Sequence, residues 1–305
     1  MALQINNAAI ITKIKNELAR DAARFIANFL NKKQIKLFSI ESLDIENVQF
    51  VDPAELVNID LDLVFAIGGD GTTLRAFRMI KQSTPVFSLN IGGTRGILAE
   101  ANTKPIEQQL LDIFSGNYFY DKRLRLQANI DGKVIGPALN DIVITRTNLT
   151  KTPTITINVF DYPVSQKMDG VIISTPTGST GHALSLGGPI VHENMNCAMI
   201  LPIAPVNKTP ALIVELKDFD ISSSVRASTI QKMKAVIYEK YGPPDVLELK
   251  DIVISSSDSS KIIIDGQQVY DATSENHITI SKYPFDGVFL RIGKRGIRQL
   301  EKLGF

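Results

Sequence analysis

Leu61-Asp62-Leu63-Val64-Phe65-Ala66-Ile67-Gly68-Gly69-Asp70-Gly71-Thr72 reads as a strand rich in aliphatic residues that runs into a glycine loop holding one carboxylate. Glycines on both sides of Asp70 let the backbone come close to a phosphate while the acid points into the gap. That pairing suggests phosphoryl chemistry. Gly-Asp-Gly also makes ordinary tight turns with Asp as the polar tip, and the motif by itself leaves both readings open.

Outward from this stretch the pattern alternates. A short strand at Ala8–Ile11 is followed by Ile14, Leu18, Ala22, Phe25 and Phe29 at helical spacing, up to the polar Asn31-Lys32-Lys33. A strand at Ile35–Ile40 precedes the Leu61–Ile67 run, a helix carrying Leu74, Phe77 and Ile80 follows Gly71, and a strand at Pro85–Leu89 leads into Asn90-Ile91-Gly92-Gly93-Thr94-Arg95-Gly96. Strands separated by helices of this length predict a doubly wound parallel sheet. From about Arg123 strands are separated by turns alone: Leu124–Ile130, a hairpin tip at Asp131-Gly132-Lys133, Val134–Thr145, Thr154–Phe160 and Val171–Ser174. Further strands follow near Ala198–Ile203, Ala211–Glu215, Ile252–Ser255, Lys261–Ile264 and His277–Ile280. The expected fold class is an α/β N-terminal domain with a parallel sheet plus an all-β C-terminal domain. The expected domains are residues 1–105, completed by 286–305, and residues 106–285. In this reading the strand Val288–Ile292 and a terminal helix Gly296–Leu303 return to the first domain, and such a crossing makes a two-domain cleft.

Composition narrows the function. With 305 residues, 44% hydrophobic and 21% charged, the chain can fill two ordinary cores. A net charge of +1 supplies no field to hold a nucleic-acid backbone or an acidic membrane surface, so neither is an expected partner. Cys197 is the only cysteine and sits in an apolar run, which fits a buried, inert thiol and a reducing cytoplasm. No leader-like segment opens the chain, and no run reaches the about eighteen apolar residues of a membrane span, so a cytoplasmic location is expected. His182, His192 and His277 are scattered, and no metal-ligating cluster is expected.

Three further stretches are polar where the pattern is otherwise apolar. Asp169-Gly170 leads through Ser174-Thr175-Pro176-Thr177-Gly178-Ser179-Thr180 to Gly187-Gly188-Pro189. Five hydroxyls beside Gly178 and Gly181 make a surface able to bond a sugar, an amide or a phosphate, whereas a helix cap inside a polar loop needs only one or two. Asn140-Asp141 interrupts a β run, as a site, a bulge or a solvent-facing pair. Asp265-Gly266-Gln267 is a turn on its face.

Taken in order, Gly68-Gly69-Asp70-Gly71-Thr72, Asn90-Ile91-Gly92 with Gly96, Asn140-Asp141, Asp169-Gly170 with Thr175-Pro176-Thr177-Gly178-Ser179-Thr180, Gly187-Gly188-Pro189 and Asp265-Gly266-Gln267 resemble the NAD kinase family. The resemblance spans nearly the whole chain. It implies an NAD kinase/diacylglycerol kinase-like fold, and phosphate transfer from ATP or polyphosphate to the adenosine ribose 2′-hydroxyl of NAD, giving NADP. Mg²⁺ is the implied cofactor, held largely by donor phosphates and water, and a homodimer or homotetramer is the implied assembly.

The same resemblance implies roles. Asp70 would be the catalytic carboxylate that takes the proton of the attacking hydroxyl. Gly68, Gly69, Gly71 and Thr72 would line the donor phosphates. Asn140 and Asp141 match the family's Asn-Glu pair on the adenosine of NAD, with a shorter acid. Asp169 would contact the nicotinamide end, and Thr177, Ser179 and Thr180 the sugar and base edges. His182 stands where the family often has Tyr; it would stack or hydrogen-bond on NAD, or face solvent in a first helical turn. Residues 233–250 resemble instead the opening strands of medium-chain quinone oxidoreductases, and are read as an insertion or a splice-like substitution between two β strands, without redox activity. A non-catalytic NAD or NADP sensor and a lipid or sugar kinase of the same superfamily are the alternative functions.

Overall fold

The run Leu63–Gly68 is buried along its whole length because strands flank it on both sides. The structure, a computed structural model, describes residues 3–13, 15–80, 82–91, 96–99, 104–159, 162–216 and 251–293. They form two compact units, Met1–Arg123 with Phe285–Phe305, and Leu124–Pro284.

In the first unit, β1 (Asn7–Thr12) leads to α1 (Glu17–Asn31), β2 (Lys36–Ser39), β3 (Val48–Phe50), α2 (Pro53–Leu56), β4 (Leu63–Gly68), α3 (Asp70–Met79), β5 (Pro85–Asn90), α4 (Ile106–Phe114) and β6 (Tyr118–Arg123). The strand Gly287–Ile292 returns to lie between β5 and β6, so the seven-stranded sheet runs β3-β2-β1-β4-β5-return strand-β6. Pairing is parallel throughout except at β6, which is antiparallel to the return strand. The expected return of Val288–Ile292 is therefore observed, and the terminal helix expected at Gly296–Leu303 lies outside the described residues. The boundary after residue 105 is corrected to Arg123, because α4 packs into the first core and β6 pairs with the return strand along its whole length.

The stripe expected on α1 is also corrected. The buried face is Ala19, Ala22, Ala23, Ile26, Ala27 and Leu30, while Leu18 and Phe25 are 65% and 43% exposed. Small alanines let the helix backbone approach the sheet, and the larger side chains are left on its flank.

The second unit holds β7 (Leu126–Ile130), β8 (Lys133–Ala138), β9 (Asp141–Arg146), β10 (Thr154–Val159), β11 (Tyr162–Lys167), β12 (Gly170–Ser174), β13 (Cys197–Ile203), β14 (Leu212–Glu215), β15 (Asp251–Ser256), β16 (Ser260–Ile264), β17 (Gln268–Ala272) and β18 (Ile278–Lys282). The return strand is β19. Two six-stranded antiparallel sheets result, β11-β10-β15-β18-β7-β8 and β14-β13-β12-β9-β16-β17. Alternating aliphatics, such as Ile155 and Ile157 from one sheet and Ile142 and Ile144 from the other, fill a common core. The single strand expected over Val134–Thr145 is two strands in different sheets. The chain changes sheet at Leu139-Asn140, which explains why polar residues break the apolar run there.

Cys197 is buried, and burial with the nearby Glu215 charge pushes its thiol up, as an inert thiol requires. No described helix is long and apolar enough to cross a membrane. Residues 217–250, which include the segment resembling an oxidoreductase, lie outside the description.

Candidate active site

Asp70 opens α3, directly after the Gly69 that precedes the helix. Its carboxylate turns to a neighbouring loop. Oδ2 accepts the Ile97 amide at 2.7 Å, and Oδ1 accepts those of Leu98 and Ala99 at 3.0 and 3.1 Å. A carboxylate has about four lone-pair sites, so three donors fix its orientation and leave one site on Oδ2 to take a proton. Gly96 is needed for this approach, since a Cβ there would lie 2.5 Å from Asp70 Oδ1.

The two halves of the glycine loop differ. A Cβ on Gly68 would run into the Thr72 hydroxyl, whereas one on Gly69 would meet no described atom within 4 Å. Gly68 and the buried Thr72 are thus packed against each other; Gly69 faces open space, and Gly71 is exposed. Lys13, exposed at the end of β1, donates its amide to the Ile67 carbonyl at 3.0 Å, which brings a cation beside the loop. β1 and β4 are where the winding of the sheet reverses, and ligands of such sheets bind at the carboxyl ends of those strands.

The second unit gathers Asn140, Asp141 and the hydroxyl loop. Asp141 starts β9 opposite Ser174 at the end of β12. Asp141 is 5% exposed, and burial together with the Asp265 charge pushes its carboxyl up to about 7. Asn140 Oδ1 is buried and accepts no hydrogen bond among the described residues. The hydroxyls expected to face a ligand are all buried. Thr175 donates to the Leu139 carbonyl at 2.6 Å and accepts the Gly178 amide at 3.1 Å. Ser179 donates to the Pro176 carbonyl at 2.7 Å and accepts the Val191 amide at 3.1 Å; Thr180 donates to the Thr177 carbonyl at 3.4 Å. Most of these side chains hold the loop itself, a 3-10 turn at Thr177–Thr180 followed by α5 (His182–Ser185). A Cβ on Gly178 would run into the Asn140 carbonyl, so this glycine lets the loop close on the sheet-changing corner. Asp169 pairs with Arg146 at 2.9 Å, and His182 is exposed in the first turn of α5.

Residues 9–118 match the ATP-NAD kinase N-terminal domain, and residues 139–242 the ATP-NAD kinase C-terminal domain. An NAD kinase of Magnetococcus marinus is 30% identical over 271 residues, which cover 85% of this chain and 88% of that one. The chain belongs to the NAD kinase family. An NAD kinase of Thermococcus sibiricus is 29% identical over 295 residues, with 94% of each chain covered. Among solved structures, an NAD kinase from Archaeoglobus fulgidus in complex with ATP is similar at a TM-score of 0.69 and 22% identity, covering 98% of this chain and 97% of that one. Yeast NADH kinase complexed with NADH gives 0.75 at 23% identity, covering 99% and 88%. At these identities the likeness is one of fold, the NAD kinase combination of an α/β unit and a β-rich unit.

As an NAD kinase the protein is a phosphotransferase. The motif reading quoted Gly96 and Asp265 among the resembling motifs without giving either a role, and it passed over Lys13. For Gly96 a signal was present, in its place within the glycine-rich run after β5. For Asp265 the turn motif was the signal, but its contact could not be read, because 124 residues separate it from Asp141. Among the described residues no group of three or more His, Cys, Asp or Glu side chains could hold a metal ion.

Proposed function

We propose that the chain transfers the terminal phosphoryl group of ATP, or of polyphosphate, to the adenosine ribose 2′-hydroxyl of NAD in a Mg²⁺-dependent reaction that yields NADP. The observation that carries this reading is the Asp70 carboxylate, oriented by three amides with a lone-pair site to spare, next to the open space at Gly69. Gly69, Gly71 and Lys13 suit the donor phosphates, the glycines by close approach and the lysine by charge. Magnesium would arrive with those phosphates and its own waters and neutralise part of their charge.

The residues present suit an in-line displacement. The ribose oxygen forms a bond to the terminal phosphorus as the bond from that phosphorus to the bridging oxygen breaks, and the shortened donor leaves. The hydroxyl proton passes to Oδ2 of Asp70. A ribose hydroxyl is a weak acid, so the carboxylate acts chiefly by orienting it and receives the proton late. In the second unit, Asn140 and Asp141 would hold the adenosine, Asp169 the nicotinamide end, and Thr177 and Thr180 the sugar and base edges. Ser179, enclosed by its own loop, would act by shaping that pocket, and His182 is exposed enough to stack on the bound nucleotide.

The test is NADP formation from NAD with Mg²⁺ and either donor, beside Asp70→Asn. The variant keeps its shape and loses the base, so kcat should fall at least about a hundredfold while NAD affinity stays near wild type. A wild-type protein that binds NAD and turns over with neither donor would be a sensor. A variant retaining full activity would remove Asp70 from the chemistry.

A further inference from the structure

Asp265 follows β16 in a left-handed turn, with φ of 49°, and its side chain points back into the fold. Its Oδ2 accepts the Leu139 amide at 3.1 Å, and its Oδ1 accepts those of Asn140 at 2.7 Å and Asp141 at 3.3 Å. The Asp265 amide in turn donates to the Asp141 carbonyl at 3.0 Å. From the other side, the Thr175 amide donates to the Asn140 carbonyl at 2.8 Å, and the Thr175 hydroxyl to the Leu139 carbonyl at 2.6 Å. Both backbone groups of Leu139 and of Asn140 are thereby paired. Asn140 Oδ1, buried and accepting no bond among the described residues, is the polar group this corner leaves open. A buried acceptor kept open where all the surrounding backbone is satisfied marks a place for a ligand donor.

We propose that Asp265 is a positioning residue of the acceptor pocket, which locks the Leu139–Asp141 backbone so that Asn140 and Asp141 meet the acceptor nucleotide in one fixed geometry. This rests on the reading of Asn140 and Asp141 as adenosine contacts. Three successive amides converging on one carboxylate form a stiff anion nest, and charge-assisted bonds of this kind are about twice as strong as neutral ones. Asp265 also acts through its charge. Together with burial, it holds the Asp141 carboxyl at about 7, and it is the one charged group acting on Asp141 among the described residues. Below that pH Asp141 carries a proton it can donate; above it, the side chain only accepts. Acceptor affinity should therefore change near neutrality, at a pH set by Asp265.

The deciding variant is Asp265→Asn, which keeps the size of the side chain, removes the charge and turns one acceptor into a donor facing amide donors. Folding is checked by circular dichroism and melting. The proposal expects the dissociation constant and KM for NAD to rise at least about tenfold with kcat within about threefold, and the pH inflection in NAD affinity to move down by about one unit or more. Asp265→Glu restores the charge and should restore the inflection in part. A folded Asp265→Asn protein with wild-type NAD affinity and an unmoved inflection would overturn the proposal, as would a lowered melting temperature with all three readouts unchanged. Carbon-13 NMR titration of the Asp141 carboxyl needs no ligand and separates the two levels of the argument. Wild-type protein that fails to bind NAD overturns the acceptor reading and the role in it, whereas a titration that Asp265→Asn leaves unmoved overturns the influence of Asp265 alone.

Discussion

Asp141 is an acid in surroundings that disfavour its charge. Between its ordinary value of 3.8 and its folded value of about 7, the native state holds a proton that the unfolded chain has released. Stability contributed by this proton is full below the unfolded value and is lost as pH rises through the folded one. Above about pH 7 the folded protein carries a buried carboxylate facing Asp265. Asp141→Asn resembles the protonated acid in shape and does not titrate. The variant should therefore gain stability relative to wild type as pH rises through this window, by roughly 1–2 kcal/mol at pH 5 and by roughly 4 kcal/mol at pH 8. Urea unfolding of both proteins at the two pH values measures this directly. A difference between the proteins that is the same at pH 5 and pH 8 would show that Asp141 carries no such strain.

Among the elements, α1 shows that large side chains do not by themselves mark a buried face. Ile26 has no exposed surface, and Leu18 is 65% exposed. Ile26→Ala should cost about 2–4 kcal/mol in chemical unfolding and Leu18→Ala less than about 0.5; equal losses would restore the stripe that spacing suggests. What was legible in the sequence follows the same physics. The β4-loop-α3 unit was readable because a continuous aliphatic run, two glycines and a helix share one local stretch. The return of β19 could be read from its aliphatic composition. By contrast β6, Tyr118-Phe119-Tyr120-Asp121-Lys122-Arg123, looks like a polar connector, because the partners that fix it in the sheet lie far along the chain. Asp121 bonds Arg123 at 2.6 Å and also Arg291 of β19 at 3.3 Å, and the two arginines lie over the Phe289 ring. In the candidate site, Asp70 and Asn140-Asp141 stood out as polar residues in apolar runs. The inward duty of the hydroxyl loop and the grip of Asp265 depend on tertiary contacts that no local pattern carries.

For the molecule as a whole, the two units differ in how the chain builds them. Leu124–Pro284 is one continuous stretch, whereas the first unit takes its strand between β5 and β6 from the far end of the sequence. That strand also serves the site. Arg291 Nη1 donates to the Leu98 carbonyl at 2.6 Å, and the Leu98 amide donates to Asp70, so the last strand helps hold the loop that orients the proposed catalytic base. Removing β19 would take Arg291 from Asp121, leaving it Arg123 alone, and would turn β5 into an edge strand and leave β6 unpaired. A chain stopped after Pro284 should therefore lose the folding transition of the first unit in calorimetry and all phosphoryl transfer. It should keep NAD affinity within about threefold, because the proposed acceptor contacts all lie in Leu124–Pro284. Two intact transitions in the shortened chain would show that the first unit closes its sheet without β19, and lost NAD binding would show that acceptor recognition extends into the first unit.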